Sequence, residues 1–276
     1  MSFKVVAWML LIVTAVAAIL LFNYWAAYQP VSTLVYAGLV LAVCGLANLV
    51  VPFRFLGVHK RSSGALILAG GVALTFAAIF WPAPTIRVAQ PRTRLDEIMP
   101  EYQFYERHSA RVHARPEQAM EAVRQSTFRD LKSMVTLMQI RGAVLREPVH
   151  TGGDFQDKRV LDTFAASGYI PGSGESEVAM FGIWNTRAGR RPEVHTLPDF
   201  AAYREPGIVK IAFNFKVEDA GGGWSTISTE TRVLGTDDRT RRGMGCYWRL
   251  IVPGSGLLRR QWLDGIKRRA ESAQLS

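Results

Sequence analysis

Glu106 and His108 stand two residues apart in the run 102–113, where residue character alternates. A strand sends every second side chain to the same face, so the two would sit side by side. A carboxylate beside an imidazole can pass a proton in general acid–base chemistry. The plainer reading is a satisfied polar pair near a strand edge, and that reading is preferred. The other histidines, His59, His113, His150 and His195, are scattered. Neither they nor Cys44 and Cys246 show metal-ligand spacing, so no metal and no cofactor is expected. Two Pro-Gly-Ser-Gly stretches begin at Pro171 and Pro253. Neither continues into the Lys-Ser/Thr of a phosphate loop, and both read as turns. The sequence names no catalytic residue beyond the Glu106–His108 candidates.

The chain around these residues falls into two populations. It has 276 residues and a net charge of +10, yet all 23 of its acidic residues follow residue 86. Within 1–86 lie three uncharged apolar runs, 5–22, 33–53 and 64–81. Each approaches the roughly 20 residues that cross a bilayer as a helix. A three-helix transmembrane anchor is therefore expected over 1–86, followed by a linker over 87–100 and a soluble domain over 101–276. Lys60 and Arg61 make the loop between the second and third runs the basic one, which places it in the cytoplasm and the soluble domain outside. Tyr24, Trp25, Tyr28, Tyr36 and Trp81 would form an aromatic belt at the outer interface. Ala65, Ala69, Ala73 and Ala77 recur along one face of the third run and are expected to pack against a neighbouring helix. No charge lies within the runs, which argues against a pump or transporter.

In the soluble part, Pro91 and Pro100 predict an extended linker. A strand over 102–113 follows, then a helix opening at Pro116 and another over 128–141. A short helix over 158–166 precedes a hairpin with arms at 167–171 and 178–184. Val209, Ile211, Phe213, Phe215 and Val217 alternate with mostly polar neighbours and make 208–218 the clearest strand. Gly221, Gly222 and Gly223 turn the chain into a return strand over 224–234. A helical region over 237–271 closes the chain, interrupted at Pro253. The order is that of an α+β fold.

Three stretches carry a resemblance: "HARPEQAMEAV" from His113, "YREPGIVKIAFNFKVEDAGGGWSTISTETRVL" from Tyr203, and "CYWRLIVPGSGLLRRQWLDGIKRRAE" from Cys246. Residues 100–272 are similar to the START-like, or Bet v 1-like, superfamily, also called SRPBCC or polyketide cyclase-like. The resemblance implies a helix-grip domain, in which a curved antiparallel sheet holds a long C-terminal helix over an apolar cavity. The break at Pro253 departs from that pattern, and the membrane anchor lies outside it. Trp184, Phe213, Phe215, Trp248 and Trp262 are the large apolar candidates for cavity walls. Glu230 and Arg232 share a strand face with Trp224, as a surface pair or as groups orienting a polar head.

The expected function is binding of an apolar or amphipathic small molecule, such as a lipid, by a membrane-tethered domain. The alternatives are a polyketide cyclase-like enzyme using His108 and Glu106, and an accessory subunit with a membrane-protein partner. Arginine and lysine crowd the C-terminal region from Arg239 to Arg269. Outside a cell this face would meet anionic lipid head groups rather than nucleic acid, so membrane lipids are the expected partners.

Overall fold

The computed structural model describes residues 30–50, 60–146, 154–185 and 192–273. They form two compact units. One combines the described residues up to Pro82 with Gly245–Val252; the other combines Ala83–Met244 with Pro253–Ser276.

The first unit is built on α1 (Pro30–Val50) and α2 (Arg61–Ile79), both long and apolar enough to cross a membrane. The expected first span, 5–22, lies outside the described residues, so two such helices are described rather than three. They touch backbone to backbone. A Cβ at Gly45 would lie 2.3 Å from the Leu68 nitrogen, and one at Gly71 would lie 2.4 Å from the Ala42 nitrogen. The buried face of α2 carries Gly64, Gly71, Thr75 and Ala78. Ala65, Ala69, Ala73 and Ala77, the expected packing ridge, are all exposed. Glycine displaces alanine at the contact because only a residue without a side chain lets two helix axes come this close. At the end of α2, Arg249 donates to the carbonyls of Ile79 and Trp81, satisfying acceptors that a helix terminus leaves open.

The second unit opens with a short antiparallel pair, β1 (Ile86–Arg87) and β2 (Glu101–Tyr102). Between them lies α3 (Arg94–Ile98), capped by the Thr93 hydroxyl, which accepts from the Asp96 amide. The prolines at 91 and 100 frame this turn of helix in a stretch expected to be extended. Then come β3 (Phe104–Val112), α4 (Pro116–Arg124), α5 (Met134–Leu145), α6 (Val160–Ala166), β4 (Ile170–Ser173), β5 (Glu177–Asn185), α7 (Leu197–Ala202), β6 (Ile208–Gly221), β7 (Trp224–Gly235) and α8 (Asp238–Ser272). The expected helix over 128–141 is a single tight turn at Phe128–Asp130 followed by α5.

The main sheet has five antiparallel strands in the order β3-β7-β6-β5-β4. Glycines 221–223 all take positive φ in the β6–β7 turn, a conformation that side chains disfavour. Alternation then sorts the side chains into two cores. One face gathers Val112, Val178, Met180, Phe213, Phe215, Val217 and Ile227 with Trp262, Leu263, Ile266 and Ala270 of α8. The other gathers Ala179, Phe181, Ile183, Ala212 and Leu234 with Leu95 and Met99 around α3 and Phe200 of α7. The fold is α+β, with a five-stranded antiparallel sheet and a long C-terminal helix.

That helix is unbroken across Pro253, contrary to the expected interruption. Proline has no amide hydrogen for the carbonyl four residues before it, here that of Arg249. The Tyr36 hydroxyl stands in, 2.8 Å from the carbonyl oxygens of both Arg249 and Leu250. Tyr36 therefore serves a helix backbone.

Candidate functional site

The α8-facing side of the sheet carries one polar island. Alternation along β3 puts Glu106 and His108 on that face, and the register sets Thr231 and Thr229 of β7 directly opposite them. From α8, Ser255 and Arg259 are one helical turn apart and so share a face. The Ser255 hydroxyl lies 2.5 Å from Glu106 Oε1, and Arg259 Nε lies 3.9 Å from the same oxygen. His108 Nε2 is 3.5 Å from Glu106 Oε2. Glu106 is wholly buried, and His108, Thr229 and Thr231 nearly so.

Aromatic rings enclose the island. The Arg259 guanidinium stacks 4.4 Å from the Phe213 ring centroid and 5.3 Å from that of Trp262. Phe213 in turn meets Phe164 at 4.9 Å and Tyr169 at 6.2 Å. Burial draws the Arg259 pKa down, while the charge of Glu106 works in the opposite direction. An arginine keeps its proton regardless.

What distinguishes the island is what its atoms lack. Among the described residues, Glu106 Oε2, both ring nitrogens of His108, Thr231 Oγ1 and Arg259 Nη1 are buried without a hydrogen-bond partner. A native interior leaves few such groups, because each forfeits its hydration. The order of groups also limits the chemistry. In the Ser-His-Asp triad the imidazole lies against the serine hydroxyl. Here the carboxylate separates Ser255 from His108, so the order is not that of such a triad. The arrangement is a buried set of hydrogen-bond donors and acceptors.

The remaining sequence candidates divide between surroundings. Phe213, Phe215 and Trp262 pack together beside the island, with Phe215 and Trp262 at 4.6 Å. Trp262 Nε1 donates to the Ser126 hydroxyl, so its polar atom is used within the core. Trp184 is partly buried at the far end of β5, where the Arg141 guanidinium lies 6.0 Å from its ring centroid. Trp248 is buried but belongs to the first unit.

Glu230 and Arg232 point to the opposite face of the sheet. There Arg232 donates to Asp96 at 2.5 Å, to Glu230 at 2.6 Å and to the Met99 carbonyl at 3.1 Å, above the Tyr102 ring. Burial pushes the Asp96 pKa up, but hydrogen bonds from Arg232 and from the Arg92 amide outweigh it, and the net shift is downward. This second cluster binds α3 to the sheet and is internally satisfied.

Sequence reasoning reached Glu106 and His108 but not Ser255, Arg259 or Thr231. Ser255 was hidden in a turn-like Pro-Gly-Ser-Gly, and Arg259 in a run of basic residues. The available signal was helical period: Arg259 falls three residues before Trp262 and four after Ser255, within the stripe of Leu258, Leu263 and Ile266.

No family model matches the chain, and no curated protein matches it. The chain is similar to the crystal structure of a hypothetical protein, jhp0584, from Helicobacter pylori, at 10% identity and a TM-score of 0.32, covering 66% of this chain and 97% of that one. That degree of likeness carries no inference about function.

Proposed function

We propose that this is a multi-pass membrane protein whose START-like domain, on the extracytoplasmic side, binds an amphipathic small molecule drawn from the lipid phase. The polar end of the guest lies at Glu106, His108, Thr231 and Arg259, and its apolar part lies among Met180, Phe213, Phe215 and Trp262. One observation carries the reading: the convergence, beside these rings, of five buried polar atoms that lack hydrogen-bond partners. A guest supplying those bonds would relieve a cost of roughly 1–3 kcal/mol for each atom satisfied. The two apolar helices support a tether that keeps the domain near such guests. The basic pair Lys60 and Arg61 at the start of α2 supports the outward topology.

The test is mass spectrometry of small molecules retained by the purified full chain beside Glu106→Gln. The expected result is an amphiphile held by the parent and depleted in the variant. Equal content in both, or nothing held by either, refutes the assignment of the site. Protease added to spheroplasts should cleave within the domain, and protection until lysis refutes the topology.

A further inference from the structure

Resting on that reading of the island, we infer that the polar end of the guest is uncharged and carries a group that both donates and accepts, as the hydroxyls of a monoacylglycerol or a primary amide do. The open positions are of both kinds. Glu106 Oε2 can only accept from a guest, and Arg259 Nη1 can only donate. The Thr231 hydroxyl can do either, and the two open nitrogens of His108 add further hydrogen-bonding positions.

Charge narrows the class further. Glu106 and Arg259 face each other across 3.9 Å, so their formal charges already cancel. The site is closed to water, where an additional charge is neither hydrated nor screened. A carboxylate or phosphate reaching for Arg259 would press against Glu106. An ammonium reaching for Glu106 would press against Arg259. A hydroxyl or amide can bridge the two without either penalty, giving a hydrogen to the carboxylate and taking one from the guanidinium. The second buried cluster shows the contrast: Arg232 there is surrounded by Asp96, Glu230 and the Met99 carbonyl, which leave no such mixed set open.

The experiment places the full chain in phosphatidylcholine nanodiscs. Chain-diazirine analogues of 1-oleoylglycerol, oleamide, oleate and oleoyl lysophosphatidate are offered at equal amounts. Photolabelled peptides carrying Phe213 and Phe215 are then quantified. The expected result is labelling by the glycerol and amide probes about tenfold or more above the two anions, the ratio that some 1.4 kcal/mol of discrimination gives. In Glu106→Gln the Arg259 charge stands unopposed, so the preference should turn toward oleate. A purely structural role for Glu106 would not produce that reversal. Thr231→Val, which keeps shape and loses one partner, should weaken neutral labelling without inviting the anions, and it stands in if Glu106→Gln does not fold. Preferential labelling by an anion in the parent overturns the neutral-head inference and leaves the binding reading intact. Labelling of this peptide by no probe, with α1 and α2 labelled normally, overturns both the neutral-head inference and the binding reading.

Discussion

Replacing Phe213 with alanine interrogates the core where the island meets the rings. The side chain is 2% exposed and is ringed by Phe164, Tyr169, Trp262 and the Arg259 guanidinium. Truncation removes a buried ring and leaves a cavity, a change that costs about 3–5 kcal/mol where neighbours cannot collapse. The flanking groups are held elsewhere: Trp262 by Ser126, and Arg259 by α8 itself. Little collapse is therefore available. The desolvated cation–π contact is lost as well, so the upper half of the range is expected. For a domain of this size, each kcal/mol lowers the unfolding midpoint by about 2–4 °C, so the variant should melt roughly 10–20 °C below the parent. Thermal unfolding of the full chain in nanodiscs, followed by tryptophan fluorescence, measures the shift. Phe213→Leu, which keeps much of the volume but not the ring face, should lose less than half as much. The four contacts leave one side of the ring for the apolar part of the proposed guest. A loss below about 1.5 kcal/mol for the alanine variant would mean that the ring is not enclosed by these four neighbours, and the packing account would be wrong.

Two further perturbations have opposite controls built in. Gly71→Leu should separate α1 from α2 and lower the hairpin's resistance to detergent unfolding by about 1–3 kcal/mol, whereas Gly70→Leu, next to open space, should leave it unchanged. Equal effects would refute the glycine contact. Lys210 is buried beneath α7, donating to the Ala201 and Tyr203 carbonyls, and burial with help from the Arg204 charge lowers its pKa from 10.5 to about 8. Between those values the unfolded chain binds the proton that the folded chain has released, so stability should rise as pH increases from about 8 to 10.5, by at most about 3 kcal/mol. Lys210→Met should flatten that segment of the pH profile, and an unchanged slope in the variant would assign it to another group.

Much of the sheet was legible because its code is local. Val209 through Val217 alternate, and three glycines mark the turn, so β6 and β7 follow from neighbours in sequence. The same alternation put Glu106 beside His108. The rest of the island was not legible, because it depends on which helix face meets which strand. Ser255 and Arg259 read as turn and solvent until α8 is known to run straight through Pro253. The carbonyl that Pro253 leaves open is met by a hydroxyl far away in sequence. The covering of the second sheet face was hidden for a related reason: α3 is a single turn framed by prolines, too short to establish a helical period. On the hairpin, alanines gave the more regular pattern, while the contact fell to glycines, whose spacing follows how two rods cross and not the repeat of one rod.

The bond between Tyr36 and the Arg249 carbonyl links two positions that descent should treat as one. Leucine or alanine at 253 would restore the missing amide and make the hydroxyl at 36 dispensable. Proline at 253 costs less while that hydroxyl takes the role of the missing amide. Homologous chains should therefore carry the tyrosine and the proline together or lack them together. A lineage that lost only the tyrosine would be expected to lose the proline next.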